Sequence, residues 1–517
     1  MATSMDEREV KLAAPPAFTM PDLTTAAEGL RVTAALPERT TTTYHDTADL
    51  RLARAGASLR FRTGQGWTVK LPGAERGGVL RRPELLFDGP PEEVPAPAAN
   101  LVRGLIRTGD LERVVRLRTI RRRSSVADEE GVELLEVDDD EVSILGPGNR
   151  IAGRFRELEV ELRPVVSDEV VTAVVDLLRR AGAGEPDPTS KYLRALGSRG
   201  SQPPDLVPVR VAKKARAGDV IRAAIVESVL HLLAADPVVR LDEDIEGVHQ
   251  MRVASRRLRS HLRTFATFTD PAWNASLREE LGWLGTILGA NRDADVLLER
   301  LRALTARARE GTNADRLLQA LAAERDAAHA AVLEALGSDR YPPLLERLIE
   351  AALAPELTAA AETPAAALLA PVQAQWGSLR RRVKSSSRPP TDEQLHRVRI
   401  HAKRTRYAAE ALIPVARKDA RRFAAAAADL QGVLGEQHDA IVMRTWLRRQ
   451  ATERAIDRTT AFVAGELAGL EQVRAESARE RWRRRYRRLV EAKEPARWVK
   501  GPRPATPATD EDPQERG

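Results

Sequence analysis

None of the 517 residues is cysteine, which excludes disulfide scaffolds, thiolate zinc sites, cysteine nucleophiles and iron–sulfur chemistry. An uninterrupted apolar run of about 18 residues, the length a bilayer demands, is also missing. Met1 to Val10 is polar and acidic, without the apolar core of a secretion signal. These absences predict a cytoplasmic protein with no membrane partner. The length suits two to four domains of about 100–200 residues each.

Charge is distributed unevenly. The whole chain has 82 Lys and Arg against 75 Asp and Glu, a net +7. Residues 1–200 hold 29 basic and 32 acidic side chains, leaving 53 and 43 for the remainder. A basic second part fits a polyanionic partner, and it also fits a solvated surface of Arg/Ala-rich helices.

The first 200 residues are punctuated by Pro and Gly and contain alternating stretches at Glu7–Leu12, Ser58–Arg62, Trp67–Leu71, Val132–Val142 and Phe155–Leu162. Period-two alternation predicts strands of a sheet or barrel. After a Gly/Ser/Pro-rich linker from Gly197 to Pro208, long Ala/Leu/Arg/Glu segments carry helical spacing. A break at Lys384–Thr391 ends one helix, and Thr391 with Gln394 forms a capping box for the next. The fold class is therefore α+β and multidomain.

The helical part repeats itself. HQMRVASRRLR begins at His249 and HRVRIHAKRTR at His396, 147 residues later; LGANRDADV begins at Leu288 and LGEQHDAIV at Leu434, 146 later. Two signatures at nearly one offset indicate a duplicated unit, of a size suited to a four-helix bundle.

In the strands, parity separates charge from apolar bulk. Glu7, Glu9 and Lys11 oppose Val10 and Leu12; Arg60 and Arg62 oppose Leu59 and Phe61; Thr68 and Lys70 oppose Trp67 and Val69; Glu157, Glu159 and Glu161 oppose Leu158 and Val160. Glu136, Asp138 and Asp140 share parity too. For each strand alone, an ordinary sheet with wet charges accounts for the split. Together, the strands predict a barrel whose lumen collects both charge signs and whose apolar exterior is covered by helices. Cationic groups in such a lumen neutralise phosphate oxygens, while clustered carboxylates hold hard divalent cations.

Glu7-x-Glu9-x-Lys11, Pro21-Asp22-Leu23, Tyr44-x-Asp46-Thr47, Leu52, Gly56, Leu59-Arg60-x-Arg62, Lys70, Glu157-Leu158-Glu159-Val160-Glu161 and Ser190-Lys191-Tyr192 occur in this order. The set resembles the CYTH domain of the triphosphate tunnel metalloenzymes. The resemblance implies an eight-stranded antiparallel β tunnel that hydrolyses a triphosphate unit with Mg²⁺ or Mn²⁺. Carried over by motif, Glu7, Glu9, Glu157, Glu159 and Glu161 would ligate metal, with Asp140 as a further acid. Lys11, Arg60, Arg62, Lys70 and Lys191 would grip phosphate. From the mid-domain run RLRTIRRR, Arg118 and Arg121 are the expected inward pair, although Arg122 and Arg123 also compete and a bulge would change the parity.

On a helix, His249, Arg252, Arg256, Arg259 and Arg263 share one sector, as do His396, Arg399, Lys403 and Arg406. No acid interleaves the first stripe, so an external anion compensates it, unless Asp293, Asp295 or Asp439 does so from the bundle. His-x-x-Arg-x-x-x-Arg-Arg-x-Arg with a following Leu-Gly-x-x-Arg-Asp-x-Asp resembles the CHAD domain. This resemblance implies two four-helix bundles that bind inorganic polyphosphate through His249, Arg252, Arg256, Arg257, Arg259, His396, Arg399, Lys403, Arg404 and Arg406. Lys403 replaces an Arg and His438 stands where Arg292 does, which weakens the second copy. His45, His231, His261, His329 and His401 lack metal-ligand spacing.

The expected division is a tunnel domain over 1–196, a linker over 197–209, helical repeats over 210–355 and 356–495, and a disordered tail over 496–517. The expected function is metal-dependent hydrolysis of inorganic triphosphate or polyphosphate, on a protein associated with polyphosphate granules in the cytoplasm. The alternative is a polyphosphate-binding protein with a weak or silent tunnel. Nucleic acid rests on charge alone. Arg479–Arg488 interleaves basic residues with Trp482 and Tyr486, an arrangement suited to stacking on bases or to two aromatics packed beneath the polar face of the last helix.

Overall fold

The computed structural model describes residues 3–72, 74–76, 79–242, 244–306, 314–453 and 456–498, with backbone alone for 3–7, 74–76 and 79–82. The Glu7 side chain and residues 499–517 of the expected tail lie outside the described residues. Two compact units partition the chain: Met1–Val207 with Arg240–Asp242 and Leu336–Glu346, and Pro208–Val239 with Glu243–Ala335 and Arg347–Gly517.

The first unit is built on β1 (Thr3–Ala14), β2 (Arg31–Ala34), β3 (Glu38–Asp46), β4 (Ser58–Arg62), β5 (Gly66–Lys70), β6 (Ala74–Arg76), β7 (Val79–Phe87), β8 (Glu112–Ala127), β9 (Glu133–Leu145) and β10 (Ile151–Leu162). Hydrogen-bonded neighbours run β1, β10, β9, β8, β3, β4, β5, β7, and β7 pairs back to β1, so eight antiparallel strands close into a ring. β2 and β6 hang from β8 and β7 outside it. β1 makes the closure: Thr3–Glu9 pairs with β7, and Glu9–Ala14 with β10. Closure removes the exposed edges of the sheet. Gly64 and Gly66, both at positive φ, turn the chain tightly between β4 and β5.

Apolar parity faces outward and is covered. Leu59, Trp67, Val69 and Leu85 pack with Leu52 of α1 (Arg51–Arg54), Ala98 and Leu101 of α2 (Ala96–Leu101) and Ile106 of α3 (Arg103–Ile106). Val10, Leu12, Val137, Leu158 and Val160 pack with Val174 and Leu178 of α4 (Asp168–Arg180). At one end the inward positions turn apolar. Tyr44, Val115, Leu117 and Val142 cluster there with Tyr192 and Leu196 of α5 (Lys191–Leu196), which plugs the barrel.

The second unit is helical: α6 (Ala217–Leu241), α7 (Glu246–Thr264), α8 (Pro271–Thr305), α9 (Asp315–Gly337), α10 (Tyr341–Leu353), α11 (Leu369–Lys384), α12 (Asp392–Ala411), α13 (Ile413–Ala451) and α14 (Arg458–Glu491). Three of these helices, α6, α9 and α10, have one end in segments of the first unit. α11 packs on α12, α12 on α13 and α13 on α14; α7 packs on α8 and also meets α12. The two His/Arg signatures thus lie on touching helices, and the two Leu-Gly signatures on α8 and α13 beside them. Thr391 and Gln394 form the capping box at the start of α12. Among the described residues, no helix is long and apolar enough to cross a membrane.

Candidate active site and anion surface

Inside the barrel, alternate residues of several strands converge on a cavity of about 490 Å³. Its wall includes Glu9 and Lys11 of β1, Arg60 and Arg62 of β4, Lys70 of β5, Arg121 of β8 and Glu159 and Glu161 of β10, with Lys191 entering from the plug helix. Lys11 pairs with Glu9 at 2.7 Å and also with Glu159. Lys191 Nζ lies 2.8 Å from carboxylate oxygens of Asp140, Glu157 and Glu159. Asp140 and Glu157 are fully buried behind it.

Arg121 forks onto Asp140 at 2.9 and 2.6 Å and reaches Glu159 at 2.7 Å and Asp138. Burial opposes ionisation of Glu159, but Lys11, Lys191 and Arg121 outweigh it and hold its carboxyl well below the usual range. Burial likewise opposes the charge on Asp140, and Lys191 and Arg121 keep its pKa low. At Asp138 burial wins and the pKa rises, despite Arg123 and Arg121.

The structure departs from the sequence reading at four positions: Arg118, Arg123, Glu84 and Asp138. Arg118 is exposed on the outer face of β8, not in the lumen. It pairs with Ser143 and Arg121 with Asp140 without an intervening bulge, so the two have opposite parity and cannot both face inward. The inward residues are Arg121 and Arg123, and Arg123 contacts Asp138 at 3.0 Å. Glu84 of β7 was not anticipated: it pairs with Arg60 at 3.0 Å and Lys70 at 3.1 Å. Asp138 was noticed only for its parity. One of its carboxylate oxygens and one each from Glu159 and Glu161 lie within 4.8 Å of one another, an all-oxygen set suited to a hard cation such as Mg²⁺ or Mn²⁺.

Arg62 differs from its neighbours. Among the described residues it makes no ion pair, bonding instead to Thr42 at 3.3 Å and Gln65 at 3.1 Å. Arg60 beside it, and then burial, push its pKa down to about 10. An anion entering the cavity meets an uncompensated guanidinium there.

In the helical unit, His249, Arg252 and Arg256 of α7 converge with His396, Arg399 and Lys403 of α12. Burial, then Arg399, Arg256 and Arg252, depress Lys403 to about 7. Arg252 meets Asp293 at 2.9 Å, Arg256 bonds the Tyr407 hydroxyl at 2.9 Å, and His396 lies 3.3 Å from His438. Burial, followed by Arg399 and His396, lowers His438 to about 4. Asp295 turns away to Arg325, at 3.2 Å.

The other named cations fall into two groups. Arg259 and Arg404 join Arg263 and Arg278, whose mutual repulsion, after burial, depresses Arg263 to about 10. Arg257 and Arg406 share Glu410, at 3.2 and 2.6 Å, and Arg257 also meets Glu227 at 3.6 Å, so two carboxylates offset the two cations.

Family comparison matches a CYTH domain at residues 5–193 and a CHAD domain at residues 223–448. An uncharacterised protein of Mycobacterium tuberculosis strain H37Rv is 30% identical over 491 residues, covering 88% of this chain and 90% of its own. Among solved structures, PptA from Streptomyces chartreusis is 25% identical, with 53% of this chain and all of that one covered and a TM-score of 0.46. The CHAD domain from Ricinus communis is 27% identical, with coverage of 57% and 98% and the same TM-score. CYTH tunnel enzymes are metal-dependent, and the Asp138, Glu159 and Glu161 set accommodates that requirement. The chain belongs to the proteins that join a CYTH triphosphate tunnel domain to a CHAD domain.

Proposed function

We propose that the tunnel hydrolyses inorganic triphosphate or the end of a polyphosphate chain, and that the helical half binds inorganic polyphosphate. The carrying observation is the closed ring that turns cations and carboxylates onto one cavity of about 490 Å³. Burying so many charges is costly, and a phosphate chain with divalent cations is the ligand whose chemistry uses both signs.

In this reading Lys11, Arg60, Arg62 and Lys70 bind the phosphoryl oxygens and hold the chain in line. Arg121 and Lys191 absorb charge developing on the leaving phosphate. Asp138, Glu159 and Glu161 would hold Mg²⁺ or Mn²⁺, with Glu9 adjoining. When bound there, such a cation would supply charge neutralisation at phosphoryl oxygens and a lowered pKa for water. Glu84 bridges Arg60 and Lys70, offsets their mutual repulsion and holds both at the cavity wall.

Phosphate release from tripolyphosphate, with magnesium or manganese and then with chelator, tests the proposal. Turnover is expected only with metal and is lost in Glu159→Gln with Glu161→Gln. Arg60→Ala is expected to cost about 10²–10³-fold in kcat, while Arg118→Ala leaves it unchanged. Equal loss in both arginine variants would contradict the assignment. A second reading is favoured by Arg121 and Lys191, which already occupy the carboxylates with ion pairs: a tunnel that binds tripolyphosphate without turnover. Binding with no phosphate release under either metal selects it.

A further inference from the structure

On α14 the basic residues divide by direction. Arg479, Arg481 and Arg485 have carboxylate partners in Asp392, Glu436 and Asp429. Arg483 and Arg487 instead face a cleft of about 700 Å³ against the C-terminal half of α11, opposite Arg380, Arg381, Lys384 and the following Arg388. No carboxylate lines this cleft. Among the described residues none of these six cations forms an ion pair. Arg380 with Lys384, and Arg483 with Arg487, are like-charge i,i+4 pairs, which destabilise a helix unless something neutralises them.

The cleft lies apart from the His/Arg stripes but connects to them electrostatically. His401 on α12 titrates below its ordinary value, first through burial, then through Arg404 on its own helix and Arg382 and Arg381 on α11. Cations therefore extend from the Arg259 and Arg404 group across His401 to the cleft. Gly377 leaves room at the floor. The aromatics beneath are structural: Trp376 and Trp482 are only 2% and 1% exposed, and the half-buried Tyr486 ring packs 6.2 and 6.4 Å from theirs. No open aromatic face is offered to a base.

We infer that the cleft between α11 and α14 is a second polyanion site, and that its occupant is an inorganic polyphosphate chain. This rests on the reading that the helical half binds polyphosphate. It adds a site away from the His249 and His396 stripes, so that a long chain makes contacts that a short one does not. Nucleic acid also carries a repeating phosphate charge, but the buried aromatics favour the chain without bases.

The test uses the full-length protein with Arg380→Gln, Lys384→Gln, Arg483→Gln and Arg487→Gln combined. All four residues are exposed, so unchanged circular dichroism is expected. Affinity for long-chain polyphosphate is measured over a sodium chloride series. Each lost phosphate contact removes about 0.7–0.9 from the log–log salt slope, so the slope is expected to fall by about 3 and affinity at low salt by at least about tenfold. Tripolyphosphate turnover is expected to stay unchanged. In a parallel Arg252→Ala, Arg256→Ala, Arg399→Ala variant, residual binding is expected to vanish once the cleft changes are added.

An unchanged slope in the cleft variant, with wild-type binding intact, overturns the second site alone. Absence of polyphosphate binding by the wild type overturns the underlying reading with it. A slope that falls for single-stranded RNA but not for polyphosphate overturns the assigned occupant.

Discussion

At the scale of single residues, Lys403 shows how position alters chemistry. An ordinary lysine is protonated across the physiological range, but burial and the neighbouring Arg399, Arg256 and Arg252 bring this one to about 7, against the opposing pull of Asp439. His249, His396 and His438, the imidazoles on the same cationic surface, all titrate below their ordinary value and so add little charge near neutrality. Bound polyphosphate stabilises the ammonium form, so binding takes up a proton there. Polyphosphate affinity is therefore expected to be flat at acid pH, to fall as pH rises through about 7, and to level off only above the higher pKa of the bound ammonium, the sign following from an ammonium that binds more tightly than the amine. Replacing Lys403 by Arg, which stays charged, is expected to flatten the profile and raise affinity at pH 8. An identical pH dependence in Lys403→Arg would contradict the assignment.

At the scale of elements, much was legible because periodicity is a direct imprint of burial. The parity of β1, β4, β5 and β10 separates the lumen from the helix-covered face, and Arg60, Lys70 and Glu159 fall where that parity sends them. β7 was not legible: Pro83 removes a ladder donor and normally argues against a strand interior, yet the segment pairs with β1 and β5 around it. Glu84, one residue on, was lost with it. The choice between Arg118 and Arg123 failed for a different reason, since a run of consecutive basic residues has no periodicity to read. The plug helix was invisible as well, because its apolar contacts come from strands far apart in sequence. The opposite case is α12, where Thr391 accepts from the Gln394 backbone and the Gln394 side chain returns the bond. Thr391→Ala is expected to cost about 1 kcal/mol, read as roughly fivefold faster amide exchange in the first turn of α12. Unchanged exchange there would mean that packing of α12 on α11 and α13 fixes the terminus without the cap.

At the scale of the whole molecule, the charge imbalance between the two parts is the sum of these local choices. In the tunnel, most cations are matched by carboxylates on neighbouring strands, which is why residues 1–200 come out near neutral despite their ionic lumen. In the helical unit, cations outnumber acids along touching stripes, and the surplus remains for a long anion. Under the proposed function, the two tasks are expected to be separable by mutation and linked through a shared substrate. A stripe variant, Arg252→Ala with Arg399→Ala, is expected to keep wild-type kcat and KM on tripolyphosphate, which is too short to gain from a second contact. On long chains its KM is expected to rise about tenfold with kcat retained, since chain held elsewhere on the molecule raises the local concentration of ends. Raising salt is expected to erase the wild-type advantage for long chains, because counterion release governs that contact. Arg60→Ala gives the converse result, losing turnover on both substrates while long-chain binding stays intact. If the stripe variant instead loses tripolyphosphate turnover to the same degree as long-chain turnover, the helical unit acts on the tunnel and not on the chain.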